Sequence, residues 1–277
     1  MAYMRRVSNP ALIGKERRLH SIFPSNGKCI IVPLDDSLIS QSNEGLFQLQ
    51  DKIRDIERAK PDAILCYQGT ACLISDYDIP LILNLTASTI NSMHTNKVLI
   101  SSVEHAVMQD ASAVALHINI SSQYESAMLR NIGEVSEKCH YYGIPMMVLA
   151  YPRKENGNSD DNYADLRNND IEKYTKLVSH CVRIAFELGA DIIKTQYTGT
   201  PQSFEYVVKS AIDKPVIIAG GTMLNDEKLL EMVRGAISAG GAGVSIGRNI
   251  FNRSNSFAII QKIREIVYGQ SLPEVVC

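Results

Sequence analysis

Lys194 stands in the apolar run DIIKT (191–195), directly ahead of the turn-forming segment QYTGT. An ammonium in that position has two readings. It is a charge that snorkels to water or meets an acid, or it is an amine stripped of water, whose lowered pKa frees the lone pair to attack a carbonyl. Position alone leaves both open. The second reading is Schiff-base chemistry, which needs a proton donor and acceptor beside the bond being made. Tyr151, closing PMMVLAY, and Asp35, closing CIIVPLD, are of the right type. Each also has a structural reading, since a buried tyrosine hydroxyl commonly just meets an acceptor.

Two glycine segments accompany them. VIIAGGT carries Gly220 and Gly221, and VSIGRN carries Gly247 and Arg248. Glycine lets a backbone approach a ligand closely, and a guanidinium suits an oxyanion. Asp36 and His117 join these as candidate substrate-binding residues. A lone histidine is a ligand, a base or a hydrogen-bonded packing residue. The six histidines are scattered, without the clustered ligands that a zinc mechanism needs, so neither metal nor cofactor is expected.

These residues act together only if the fold gathers them. Short β-branched apolar runs recur at Cys29–Asp35, Ala63–Tyr67, Leu81–Leu85, Ala113–Asn119, Pro145–Tyr151, Asp191–Thr195, Val216–Gly220 and Gly243–Gly247. Between most of them lie amphipathic stretches, such as QSFEYVVKSA, where Phe204, Val207, Val208 and Ala211 share one helical face. The others are Leu46–Ala59, Val103–Asp110, Gln123–Tyr142, Ile171–Leu188, Asp226–Ser238 and Ser254–Tyr268. Near-continuous apolar strands covered by helices form a parallel sheet buried on both faces. Eight such units in 277 residues predict an α/β fold, a single (β/α)8 TIM barrel with an N-terminal helical extension over residues 1–26. An open doubly wound sheet is the alternative, but the first βα turn, PLDDSLIS, lacks its glycine fingerprint. KVLIS (97–101) reads as loop or edge structure. Residues 154–169, KENGNSDDNYADLRNN, read as an irregular loop over the C-terminal face of the barrel, a lid or a solvated loop. At that face the strand ends converge, which places Asp35, Asp36, His117, Tyr151, Lys194 and the two glycine segments around one mouth.

Lys+Arg of 28 against Asp+Glu of 30 leaves no positive field for nucleic acid or an anionic membrane. No targeting segment or apolar run of membrane length is visible, so a cytoplasmic location is expected. The cysteines at 29, 66, 72, 139, 181 and 277 include no C-x-x-C pair and are expected to be reduced, mostly in the core.

PLDDS, ALHINISS, VLAYPR, DIIKTQYTG, VIIAGGT and AGVSIGRNIF resemble, in order and spacing, the metal-independent class I aldolases of the DhnA type. The resemblance runs from about Gly27 to Phe251. It implies that Lys194 forms the Schiff base, that Tyr151 is the general acid and base, and that Asp35 assists proton transfer. It also implies that Gly220, Gly221, Gly247 and Arg248 hold phosphate. LILNLTASTINS, NKVLISSVEHAV and GRNIF are most similar to the branch that makes amino-heptulosonates.

The departures bear on substrate. Asp35–Asp36 replaces the usual Asp-His, Tyr67–Gln68–Gly69 the usual His-Lys-Gly, and Ile120–Ser121–Ser122 the usual Val-Gly-Ser. The expected reaction joins a phosphorylated ketone, dihydroxyacetone phosphate, to an aldehyde, L-aspartate 4-semialdehyde. A transaldolase-type heptulosonate synthase, a fructose-bisphosphate aldolase and a non-catalytic phosphometabolite-binding barrel are the alternatives. The expected partners are these small molecules, without nucleic acid or membrane. The resemblance implies a homo-oligomer, a decamer being one form.

Overall fold

The computed structural model describes residues 9–24, 26–39, 44–157 and 159–269. Eight parallel strands close into a barrel in sequence order. They are β1 (Cys29–Pro33), β2 (Ala63–Cys66), β3 (Leu81–Asn84), β4 (Ala113–Ile120), β5 (Met146–Pro152), β6 (Ile192–Thr195), β7 (Val216–Ala219) and β8 (Gly243–Ser245). The ring shuts where Cys29, Ile30 and Ile31 of β1 pair with Gly243, Val244 and Ser245 of β8. All eight strands were legible as apolar runs, ending one or two residues short of several expected limits.

Alternation along each strand sorts the apolar side chains into two layers. Ile30, Val32, Val114, Leu116, Val148, Ile193, Ile218 and Val244 lie in the outer layer under the helices. Cys29, Ile31, Ala63, Leu65, Ala115, Met147, Leu149, Ile192 and Ile217 fill the lumen. The helix Pro10–Ile22, begun by Asn9 and Pro10, closes the floor: Ile22 is fully buried in the lumen cluster, with Leu19 and Phe23 packed against it. Lys15 and Arg18 tie this helix to the body, through Asp191 at 2.9 Å and the Gly143 carbonyl at 3.0 Å.

Local signals set the outer helices. Thr200 caps the helix Pro201–Lys209 by accepting from the Ser203 amide, with proline in the first turn. Asn225 caps Asp226–Ser238 through the Lys228 amide, followed by Asp226 and Glu227 near its positive end.

Two segments depart from expectation, while KVLIS lies outside the barrel as expected. The Leu46–Ala59 stretch breaks at Gln48 into Glu44–Phe47 and Leu49–Arg58. KVLIS contributes Val98–Leu99, which pair antiparallel with Thr86–Ala87 as a small hairpin outside the barrel. Residues 154–169 are not irregular: Lys154–Asn156 and Ser159–Asp161 form a hairpin, followed by the helix Ala164–Asn169. Strands of three residues show no periodicity, so their polar composition conceals them. Cys29, Cys66, Cys139 and Cys181 are buried free thiols and Cys72 is exposed; Cys277 lies outside the described residues. No described helix is long and apolar enough to cross a membrane.

Candidate active site

A cavity of about 430 Å³ opens at the C-terminal ends of the strands. Asp35, Asp36, Tyr151, Lys194, Gly220, Gly221, Gly247 and Arg248, from five different strand ends, all line it. Its volume suits a small phosphorylated metabolite.

Lys194 reaches this space because β6 alternates. Ile192 faces the lumen and Ile193 the outer layer, so Lys194 turns inward between Leu149 of β5 and Ile217 of β7. The residue is 6% exposed. Burial lowers its ammonium to about 8, against the opposing pull of Asp35 and Asp36. About a tenth of the amine is therefore free at pH 7, far more than for an ordinary lysine.

Asp35 sits just past β1, at the start of the 3-10 turn Asp36–Leu38. Burial raises its pKa, while Lys194 and a hydrogen bond from Asn84 oppose the rise. The Asn84 carboxamide donates to Asp35 Oδ2 at 2.7 Å. Tyr151 projects from β5 on the lumen side, with the Arg153 guanidinium 5.8 Å from its ring centre. Burial raises the Tyr151 phenol above its ordinary value, so it holds its proton at neutral pH. A partly free amine, a carboxylate and a protonated phenol thus share one space, a set able to run imine formation and proton transfer.

The glycine segments form the opposite wall. Gly221 has φ of +66°, a conformation other residues adopt only with strain. A Cβ on Gly247 would lie 3.0 Å from both the Pro33 carbonyl and the Phe251 ring. Asn249, fully buried, fastens the two segments together: its Oδ1 accepts from the Leu224 amide at 2.8 Å. Its Nδ2 donates to the Gly220 and Thr222 carbonyls at 3.1 and 2.8 Å. Arg248 adds a half-exposed guanidinium, with Nε 3.9 Å from Asp36.

His117 does not line this cavity. It lies behind it, with Nδ1 3.0 Å from Thr86 Oγ1, and burial holds its imidazole well below the usual range. Tyr67 also turns toward that hairpin, donating to the Thr86 carbonyl at 3.4 Å. Further lining residues come from the 154–169 segment, which supplies Asn162, Arg167 and Asn168, so it forms part of the wall. Arg153 Nε donates to Asn162 Oδ1 at 2.6 Å. Glu155 secures the hairpin by accepting from Ser122 Oγ at 2.7 Å and the Gln123 amide at 3.0 Å.

Sequence reasoning passed over Asn84, Arg153, Ser245 and Asn249. Asn84 ends the apolar run LILN, and Lys194 is the last residue but one of IIKT, so the same rule finds both. Ser245 Oγ is buried and has no hydrogen-bond partner among the described residues. Asn249 gave no sequence signal, because its partners lie 25 to 29 residues away.

Comparison with known proteins bears on the family and the fold. Residues 29–253 match the model of the DeoC/LacD family aldolases. The 2-amino-3,7-dideoxy-D-threo-hept-6-ulosonate synthase 1 of Archaeoglobus fulgidus is 35% identical over 93% of this chain and 92% of its own length. The 2-amino-4,5-dihydroxy-6-oxo-7-(phosphonooxy)heptanoate synthase of Streptomyces griseus is 30% identical over 91% and 89%. Among solved structures, an archaeal fructose-1,6-bisphosphate aldolase, with its catalytic lysine covalently bound to the carbinolamine intermediate, superposes with a TM-score of 0.80. It shares 29% identity and covers 92% of this chain and all of its own. The chain therefore belongs to the DeoC/LacD aldolase family and is a Schiff-base-forming class I aldolase of the DhnA type.

Proposed function

We propose that Lys194 is the Schiff-base lysine and that the enzyme joins dihydroxyacetone phosphate to L-aspartate 4-semialdehyde, giving a phosphorylated amino-heptulosonate. The observation carrying this reading is the buried, partly deprotonated Lys194 in the same cavity as Tyr151, Asp35 and the paired glycine segments.

The amine adds to the ketone carbon, and the carbinolamine loses water to give an iminium. Asp35 takes a proton from the adjacent hydroxymethyl carbon to give an enamine, which forms the new bond to the aldehyde carbon; Tyr151 gives the aldehyde oxygen its proton and is reprotonated by the one that Asp35 took, passed on through solvent. Water then returns the amine and releases the product. Asp35 orients and exchanges protons beside the amine, while Gly220, Gly221, Gly247 and Arg248 bind the donor phosphate, converting remote binding into orientation. Asp36 positions Arg248. His117 is proposed to serve substrate binding from behind the wall, not by lining the cavity.

The acceptor assignment is supported by the far wall, where Arg153, Arg167, Asn162 and Asn168 offer guanidinium and amide donors suited to a carboxylate. The higher identity to the Archaeoglobus synthase supports a second reading, a transaldolase-type heptulosonate synthase built on the same lysine. Borohydride reduction with dihydroxyacetone phosphate tests the first step; an unmodified Lys194 peptide overturns it. Comparing kcat/KM for that donor and for a sugar phosphate, each with aspartate semialdehyde or glyceraldehyde 3-phosphate, separates the overall reactions.

A further inference from the structure

Asn84 is 1% exposed and lies at the end of β3, a place where an apolar residue costs less. Its carboxamide has a determined orientation. Oδ1 accepts from the Thr86 amide at 3.1 Å and from Thr86 Oγ1 at 3.3 Å, which directs Nδ2 at Asp35 Oδ2, 2.7 Å away. Thr86 Oγ1 in turn accepts from the His117 amide at 3.0 Å and stands 3.0 Å from His117 Nδ1. With the Thr86 hydroxyl given to Asn84, His117 Nδ1 carries a proton and donates to Thr86. The bonds then run in one direction, from β4 through the loop after β3 to the carboxylate beside β1, each polarising the next.

We propose that Asn84 is a positioning residue of this aldolase: held by Thr86 and His117, it clamps Oδ2 of Asp35 and so fixes the carboxyl beside Lys194 and the substrate. The proposal rests on the roles given above to Lys194 and Asp35. Asn84 and Thr86 are uncharged, so the clamp fixes the carboxylate without adding a competing acid. The groups facing Asp35 are Lys194 from β6, Tyr151 from β5, Tyr67 and Cys66 from the β2 end, Lys97 from the loop after β3, and its neighbour Asp36. Asn84 is the member of this ring whose bond favours the ionised carboxylate by direct hydrogen bonding from a side chain.

The test is Asn84→Leu, which keeps the side-chain shape and removes the donor. Losing that donor raises the Asp35 pKa, so the carboxylate persists only at higher pH. The expected result is an acid limb of kcat, where the lysine is already committed to the imine, shifted upward by about one pH unit and a kcat roughly tenfold to a hundredfold lower at pH 7. KM for the donor stays within about threefold, because the phosphate wall is untouched. Thr86→Val, which keeps the backbone donor to Asn84, is expected to move the limb the same way by less; it carries the test if Asn84→Leu fails to fold. An acid limb unmoved in the folded variants, or a loss confined to KM, overturns the proposal. Borohydride trapping on Lys194 is run in parallel. Failure in the wild type overturns the Schiff-base assignment, whereas trapping with an unmoved limb overturns the role of Asn84 alone.

Discussion

Lys194 and Asp35, three strands apart around the mouth, are each the strongest opposing charge that the other meets: Asp35 is the leading influence raising the lysine, and Lys194 the leading charge lowering the acid. Burial drives both toward neutrality, and each opposes that drive in the other. Asp35→Asn removes the upward pull on the amine, so Lys194 titrates below about 8. Adduct formation with dihydroxyacetone phosphate is expected to persist and to extend to lower pH, while turnover falls about a hundredfold or more. Borohydride trapping as a function of pH, set beside kcat, checks both halves.

Lys194→Met is expected to abolish the adduct and stabilise the fold. The lysine falls from 10.5 to about 8 on folding, a difference of roughly 3 kcal/mol. The unfolded chain binds a proton between those values that the folded chain does not, so wild-type stability rises with pH across that window. Below it, the full cost of the buried charge is present. The gain from Lys194→Met at pH 7 is expected to be about 1–3 kcal/mol, reduced because Asp35 loses its partner, and to shrink as pH approaches 10.5. Denaturant melts at pH 7 and pH 10 measure it; a gain that grows with pH sinks the account.

Tyr151→Phe deletes the phenol and leaves the ring beneath Arg153. A kcat loss of about 10²–10⁴-fold is expected, with donor KM little changed. Single-turnover kinetics locate the loss in steps that move protons; an unchanged kcat removes Tyr151 from the mechanism.

The strand ends were legible because buried parallel strands read as uninterrupted apolar runs, and the barrel then dictates which ends meet. Lys194, Tyr151 and Asp35 followed from that rule. Asn84 obeyed it too, but amid LILNLT its single amide drew no attention beside charged residues. Asn249 was beyond reach for a different reason: its meaning lies wholly in the approach of the loop after β7. His117 shows the limit of the rule, since a residue at a strand end on the lumen side can still be claimed by a neighbouring loop, here through Thr86.

Asn249→Ala cuts the fastening between the two glycine segments. With a buried amide and its three bonds removed, a stability loss of about 1–3 kcal/mol is expected. The donor KM is expected to rise about tenfold, more than kcat falls. Arg248→Gln leaves the fastening in place and is expected to weaken binding of phosphorylated donors, with little effect on unphosphorylated ketones. Thermal melts and kcat/KM with both donor types distinguish the two variants; equal effects on both donors argue against phosphate at this wall.

The helix Pro10–Ile22, which seals the floor with Ile22, Leu19 and Phe23, makes the reaction chamber a cul-de-sac. Among the described residues, the way to Lys194 is the cavity at the opposite end, walled in part by Asn162, Arg167 and Asn168. If Lys194 carries the donor as proposed, the donor takes the inner berth, and the longer product leaves past the place where the second reactant entered. On the proposed chemistry an ordered reaction is expected, ketone before aldehyde, and initial-rate patterns with both substrates varied check it; random-order patterns count against it.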